Sequence, residues 1–149
     1  MKIRGFKEKD AGKTSRCIVK SLNQVSSQFY SSRVIAHLGK RNLPCALSER
    51  AKKCTMLVAE ENGRIIGTAN LSDDGWLGAF FVDPASIKCG VGTRLLRAME
   101  RIAKKKGFKA IRMHSSVNAV EFYKKNGYRA IRPVIHKDVG KTYRMFKRL

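Results

Sequence analysis

The spacing of apolar residues changes rhythm along this chain, and each change marks an element. Met1 to Phe6 reads as a strand. Ile18, Leu22, Val25 and Phe29 then follow at steps of four, three and four, the stripe of a single helix face, with Asp10 placed to cap its start. A shorter helix over Ser32 to Lys40 is cut by Asn42-Leu43-Pro44, and Leu47 to Lys52 suits one further turn. Thr55 to Glu60 and Arg64 to Leu71 flank Asn62-Gly63, a strong hairpin signal because both residues tolerate the positive φ of a two-residue turn. Asp73-Asp74-Gly75 turns the chain into a strand from Trp76 to Val82. Helical spacing returns with Val91, Leu95, Met99, Ile102 and Ala103, and Gly107 closes that helix. Lys109 to His114 reads as a buried strand, and Tyr128 to Arg132 with Thr142 to Lys147 as a terminal antiparallel pair. Strands and helices in this order predict an α/β chain of the α+β type, a mixed sheet with helices on both faces.

Candidate chemistry concentrates where the strand Trp76 to Val82 leads through Lys88, Cys89, Gly90, Val91, Gly92 and Thr93 into a helix. A helix start offers unpaired N–H groups and the positive end of the macrodipole, and glycine there lets an anion approach the backbone. Two familiar phosphate loops fail on spacing. GxxxxGK[ST] occurs nowhere, and the dinucleotide fingerprint would need a small residue at position 95, where Leu95 continues the apolar stripe. What remains is strand, GxG, helix. Further on, Ser115 to Tyr128 reads as a short helix with Asn118 and Glu121 spaced as a capping box and Asn126-Gly127 as its stop.

These two segments together resemble the GNAT superfamily of acetyl-CoA-dependent N-acetyltransferases. Its [QR]xxGx[GA] motif is met by Ile87-Lys88-Cys89-Gly90-Val91-Gly92, with Ile87 in place of Gln or Arg. Its AxxFYxxxGF-like helix is met by Ala119-Val120-Glu121-Phe122-Tyr123-Lys124-Lys125-Asn126-Gly127-Tyr128. The resemblance extends from Ile3 to Met145 and implies one N-acetyltransferase domain over residues 1–149, with a six- to seven-stranded sheet that splays between its fourth and fifth strands. It implies acetyl-CoA as donor and no metal. Gly78 suits a bulge that promotes the splay. Backbone groups of Phe81 and Val82 are then expected to meet the pantetheine, Lys88 to Thr93 the pyrophosphate, and Ser116 (where the family has Asn), Ala119 and Tyr123 the coenzyme from the other side. Tyr123 matches the tyrosine that protonates the departing thiolate. Where some relatives carry a glutamate base, this chain has Trp76. The candidates for the base are His114, at the end of the fifth-sheet strand, Glu60, Asp73, Asp74 and a water relay.

Charge and cysteine content narrow the partners. With 32 Lys and Arg against 11 Asp and Glu, the net charge is +21, a field that attracts polyanions such as RNA or the ribosome and repels polyamines. Glu60, Glu61, Asp73 and Asp74 are the only clustered acids available for a cationic acceptor. Cys17, Cys45, Cys54 and Cys89 lack CxxC spacing and read as reduced thiols of a cytoplasmic protein. No apolar run approaches the ~20 residues of a membrane span, so no membrane partner is expected. The expected activity is acetyl transfer to a primary amine of a small molecule or peptide, by direct attack in a ternary complex; oligomeric state stays open, with a homodimer among the assemblies the resemblance implies. A catalytically silent coenzyme-binding or ribosome-associated module on the same fold, or transfer of a different acyl group, stays open.

Overall fold

The computed structural model describes residues 1–149. Seven strands form one sheet: β1 (Lys2–Gly5), β2 (Thr55–Glu61), β3 (Arg64–Leu71), β4 (Trp76–Val82), β5 (Ala110–Ser116), β6 (Arg129–His136) and β7 (Gly140–Arg148), in the order β1-β2-β3-β4-β5-β7-β6. All neighbours are antiparallel except β4 and β5. The β2–β3 turn takes the conformation that Asn62-Gly63 promises, with φ of 50° and 74°.

Five α-helices cover the two faces. On one lie α1 (Ala11–Gln24), α2 (Ser32–Arg41) and α3 (Pro44–Lys53), and on the other α4 (Val91–Lys105) and α5 (Val120–Lys125). Buried Leu95, Leu96 and Met99 of α4 pack on Leu57, Ala69, Leu71 and Met113 of the sheet, forming the larger core. Ile18 and Leu22 of α1 pack with Leu47 of α3 and Met56 of β2 to form the smaller. A fully buried leucine contributes roughly 1.5–3 kcal/mol, so these few side chains fix both helical layers on the sheet.

Four local expectations are corrected. The α1 stripe stops before Val25 and Phe29, because Ser27 and Gln28 donate to the carbonyls of Asn23 and Gln24 and end the helical ladder; Phe29 is left 51% exposed. Pro44 starts α3 rather than merely breaking α2, since its missing N–H is no loss in a first helical turn. Asp10 does not cap α1 with its side chain. Its carboxylate is clasped by Arg4 at 2.7 and 2.9 Å and accepts from Lys7 N at 2.8 Å. The capping box of α5 is absent as well. β5 runs on through Ser115 and Ser116, paired with Tyr143 and Thr142, and leaves the helix only Val120–Lys125; the Gly127 stop holds, with φ of 89°.

Candidate active site

The sheet parts where the site is expected. β4 and β5 share only Trp76↔Arg112 and Leu77↔Met113, and beyond these pairs no bridge joins them. One residue too many sits on β4 at this point. β3 pairs Asn70 with Gly78 and Thr68 with Phe81, so Ala79 and Phe80 together face Ala69. The bulge anticipated at Gly78 is therefore carried by its neighbour Ala79, whose φ is 43°. Gly78 itself leaves room for Asn70, whose Nδ2 would lie 3.4 Å from an added Cβ. An extra residue bends and twists its strand, which turns the end of β4 away from β5.

Backbone groups follow from this register. Asp83 N donates to Ile66 O at 2.9 Å, and antiparallel alternation then turns the N–H and C=O of Phe81 toward Thr68 and those of Val82 toward the opening. Phe81 therefore keeps its ladder partners on β3, contrary to expectation, while Val82 presents free groups to the gap. The Phe81 side chain packs on the α1 side.

At the head of α4, the amides of Lys88, Gly90, Val91, Gly92 and Thr93 have no partner within the chain; Cys89 N donates to Ser86 O at 3.3 Å. Lys88 and Gly90 both have positive φ, 65° and 81°, so successive N–H groups turn toward one side as in an anion-binding nest. The two glycines differ in purpose. A Cβ on Gly90 would meet nothing within 4 Å, whereas one on Gly92 would lie 3.1 Å from Phe122 Cζ and 3.7 Å from Phe80 Cε1. Gly90 leaves space for an anion. Gly92 seats α4 against α5, which differs from the open space expected above it. Ile87 is 42% exposed.

Tyr123 lies beside this seat, its ring edge-on to Phe80, Phe122 and Tyr128 at centroid distances of 5.8, 5.1 and 5.7 Å. The residue is only 4% exposed, and its hydroxyl makes no hydrogen bond within the chain. Burial pushes its phenol well above the ordinary value and keeps it protonated. Ser116 and Ala119 meet in the turn before α5, where Ser116 O accepts from Ala119 N at 3.1 Å.

His114 is the first β5 residue past the last β4 pair, on the opposite face from its buried neighbour Met113. Its ring stacks on Trp76 at 5.1 Å with a 10° tilt and meets His136 edge-on at 5.6 Å. Partial burial, then the charges of His136, Arg144 and Arg132, hold its pKa below the usual 6.5 and favour the neutral imidazole a base requires. The other base candidates lie elsewhere. Glu60 is bonded to Arg4 at 2.9 Å, Asp73 pairs with Lys106 at 3.7 Å, and Asp74 accepts from Ser72 within the turn that opens β4. Glu61 meets the N-terminus at 3.5 Å, so the four acids that the sequence groups do not form a pocket.

The sequence reading missed the surroundings of His114. Arg144 lies across β5–β7 from it and Arg132 across β7–β6 from Arg144. Period-two alternation on β7 offers that signal for Arg144, but His136 falls beyond the strand end that the sequence suggests. The guanidiniums of Arg112 and Arg144 lie 5.1 and 5.5 Å from the Trp76 ring. Tryptophan is the best aromatic face for such cations, so the Trp76 ring favours both guanidiniums at this position.

Comparison with known proteins agrees with this geometry. Residues 22–149 match the acetyltransferase (GNAT) domain family. The chain belongs to that family and is an acyltransferase. The solved structure of a GCN5-related N-acetyltransferase from Rhodopseudomonas palustris is similar at 26% identity with TM-score 0.90, covering 99% of this chain and 95% of that one. A PaiA N-acetyltransferase from Thermoplasma acidophilum, solved with coenzyme A, shares the fold at 20% identity and TM-score 0.83, covering 99% and 98%. A ribosomal-protein-alanine N-acetyltransferase from Brucella melitensis does so at 16% and 0.74, covering 100% of both chains. Among curated proteins, none matches in sequence. No helix is long and apolar enough to cross a membrane.

Proposed function

We propose that the chain, acting as one domain, moves the acetyl group of acetyl-CoA to a primary amine by direct attack. The observation that carries this reading is the opening between β4 and β5, with the free amides heading α4 following β4 in the chain and Tyr123 packed edge-on against Phe80 of β4. The residues suit such a donor: the free amides of Lys88, Gly90, Val91, Gly92 and Thr93 for the pyrophosphate, Gly90 for close approach, and the free Val82 groups for a pantetheine amide. Relatives on this fold are solved with coenzyme A, which supports the same assignment. When bound, the thioester supplies the electrophilic carbonyl carbon.

In this reading His114, or water beside it, takes the proton the amine loses as nitrogen bonds to carbon. An N–H in the opening steadies the developing oxyanion, an interaction commonly worth about 3 kcal/mol. As the carbon–sulfur bond breaks, Tyr123 donates a hydrogen bond to the sulfur. A buried phenol above its usual pKa near 10 is a weaker acid than a thiol near 8.5, so the hydrogen bond, rather than full proton transfer, is its contribution, and solvent completes protonation of the thiol.

Purified protein with acetyl-CoA and a panel of primary amines tests this by thiol release and product mass. Turnover with at least one amine, together with saturable thermal stabilisation by acetyl-CoA, is expected. Stabilisation with silence across the panel favours a non-catalytic module, and absence of both refutes the assignment. Propionyl-CoA in the same assay reports the acyl preference.

A further inference from the structure

We propose that the acceptor amine carries an anionic group, a carboxylate or a phosphate, and that Arg132 and Arg144 hold it beside His114. The inference rests on the acetyl-transfer reading and adds the class of acceptor.

Strand register sets His114, Arg144 and Arg132 in one row across β5, β7 and β6, starting at the residue where β4 and β5 part. No carboxylate answers this row. Arg4, Lys20, Lys106 and Lys147 take up Asp10, Glu60, Asp83, Asp73 and Glu100, and no carboxylate lies within 4.0 Å of Arg112, Arg132, Arg144 or His114, although Arg112 donates to the Asp74 backbone carbonyl at 2.7 Å. Arg144 Nε is sealed from solvent with no hydrogen-bond partner, although buried polar groups are nearly always paired. Trp76 holds the guanidinium there through its ring face, which leaves the terminal Nη groups, rather than the sealed Nε, for a ligand. A planar fork of donors suits carboxylate and phosphate oxygens.

The approach to the row has the same sign. A cavity of about 590 Å³ lies between the start of α2 and the β6–β7 turn, with Arg33, His136, Lys137 and Lys141 in its wall. His136 joins it to His114 through the 5.6 Å ring contact. Asp138 is the one acid nearby in that turn, exposed and paired with Arg33 at 3.8 Å. Such walls concentrate anions and exclude polycations.

Matched acceptors test the inference: glycylglycine against glycylglycinamide, phosphoethanolamine against ethanolamine, and spermidine as a polycation. The anionic member of at least one pair is expected to lead in kcat/KM by about tenfold or more, the effect of one charge-assisted hydrogen bond. The carboxylate and phosphate pairs tell the two sources apart. Arg144→Gln should bring the ratio toward one through the acceptor KM, and Arg132→Gln, at an exposed position that folding tolerates, should do the same. Equal or better turnover of the neutral members or spermidine overturns the proposal, as does an unchanged ratio in both variants. If no acceptor releases thiol, the transfer reading fails, and the site is judged by NMR titration of His114 with inorganic phosphate. A rise in its midpoint that Arg132→Gln abolishes supports the anion site. No rise overturns it.

Discussion

Gly90→Ala and Gly92→Ala, two residues apart in one motif, are expected to damage different steps. At Gly90 the backbone is left-handed, φ 81°, with nothing within 4 Å of an added Cβ, so the whole effect is conformational, about 1–2 kcal/mol. Relief comes by turning the residue out of that conformation, which scatters the amides of Lys88 to Val91, so the KM for acetyl-CoA should rise while kcat holds. At Gly92 the helical backbone accepts alanine, and propensity favours it by up to ~1 kcal/mol. Its Cβ, however, would stand 3.1 and 3.3 Å from Phe122 Cζ and Cε2. Phe122 is held by Phe80 at 5.9 Å and Tyr123 at 5.1 Å, so overpacking of roughly 1–3 kcal/mol passes to the ring beside the hydroxyl. Net destabilisation is then about 0–2 kcal/mol, with the main loss in kcat. Thermal melts and steady-state kinetics with both substrates read these quantities, and Phe122→Leu in the Gly92→Ala background should recover kcat by making room. If Gly92→Ala raises only the KM for acetyl-CoA and Phe122→Leu rescues nothing, the division of labour is wrong.

Tyr123→Phe should lower kcat by the worth of one hydrogen bond to a charged atom, about 1.5–3 kcal/mol or roughly 10- to 150-fold, with little change in melting temperature; an unaltered kcat would remove the hydroxyl from the mechanism. His114, if it is the base, should give a rate–pH profile whose acid limb has its midpoint below 6.5, moving upward in Arg132→Gln as a neighbouring positive charge is removed. Because its folded pKa is depressed, its contribution to stability is present above 6.5 and lost as pH falls through the lower folded value. Asp10→Asn should destabilise by about 1–3 kcal/mol in urea titration, through the clasp with Arg4. Arg4 also holds the Asp10 carboxyl below its usual 3.8, so this share of stability persists above that pH and disappears as pH falls through the lower folded value, a loss that Asp10→Asn should not show.

Much of the fold is legible in the sequence because its signals are local. Asn62-Gly63 makes its hairpin turn, Trp76 to Val82 is β4 to the residue, and the apolar stripe of α4 is the stripe that packs. Signals that depend on distant partners are misread. Asp10 looks like a cap until Arg4 arrives from β1, and Asn118 with Glu121 looks like a capping box until β7 extends β5 through Ser116. Within the candidate site, the loop before α4 stands out through its strand, GxG, helix spacing, whereas Tyr123 stands out only through the motif resemblance. The split between Gly90 and Gly92 does not, since it depends on where Phe122 lands. Nor does the row of His114, Arg144 and Arg132, which exists only through the pairing of three strands that are separated along the chain.

Net charge alone would suggest a surface positive everywhere and selective nowhere. Pairing changes that conclusion. The sparse acids are taken up mostly at the margins: Asp10 and Glu60 on Arg4 near the β1 edge, Asp83 on Lys20 and Glu100 on Lys147. The cations of those pairs are neutralised, whereas Arg112, Arg132 and Arg144 have no carboxylate within 4.0 Å. These pairs are partly buried and add to stability, Asp10 with Arg4 above all, and their distribution also decides where an uncompensated field remains. It remains at the closed end of the β4–β5 opening, where Trp76, still paired with Arg112, carries two guanidiniums near its ring face. On the proposed reading, the ring that leaves position 76 without a proton acceptor also orients the guanidiniums that would hold the acceptor's anion, so the choice of base and the recognition of the acceptor share one structural cause.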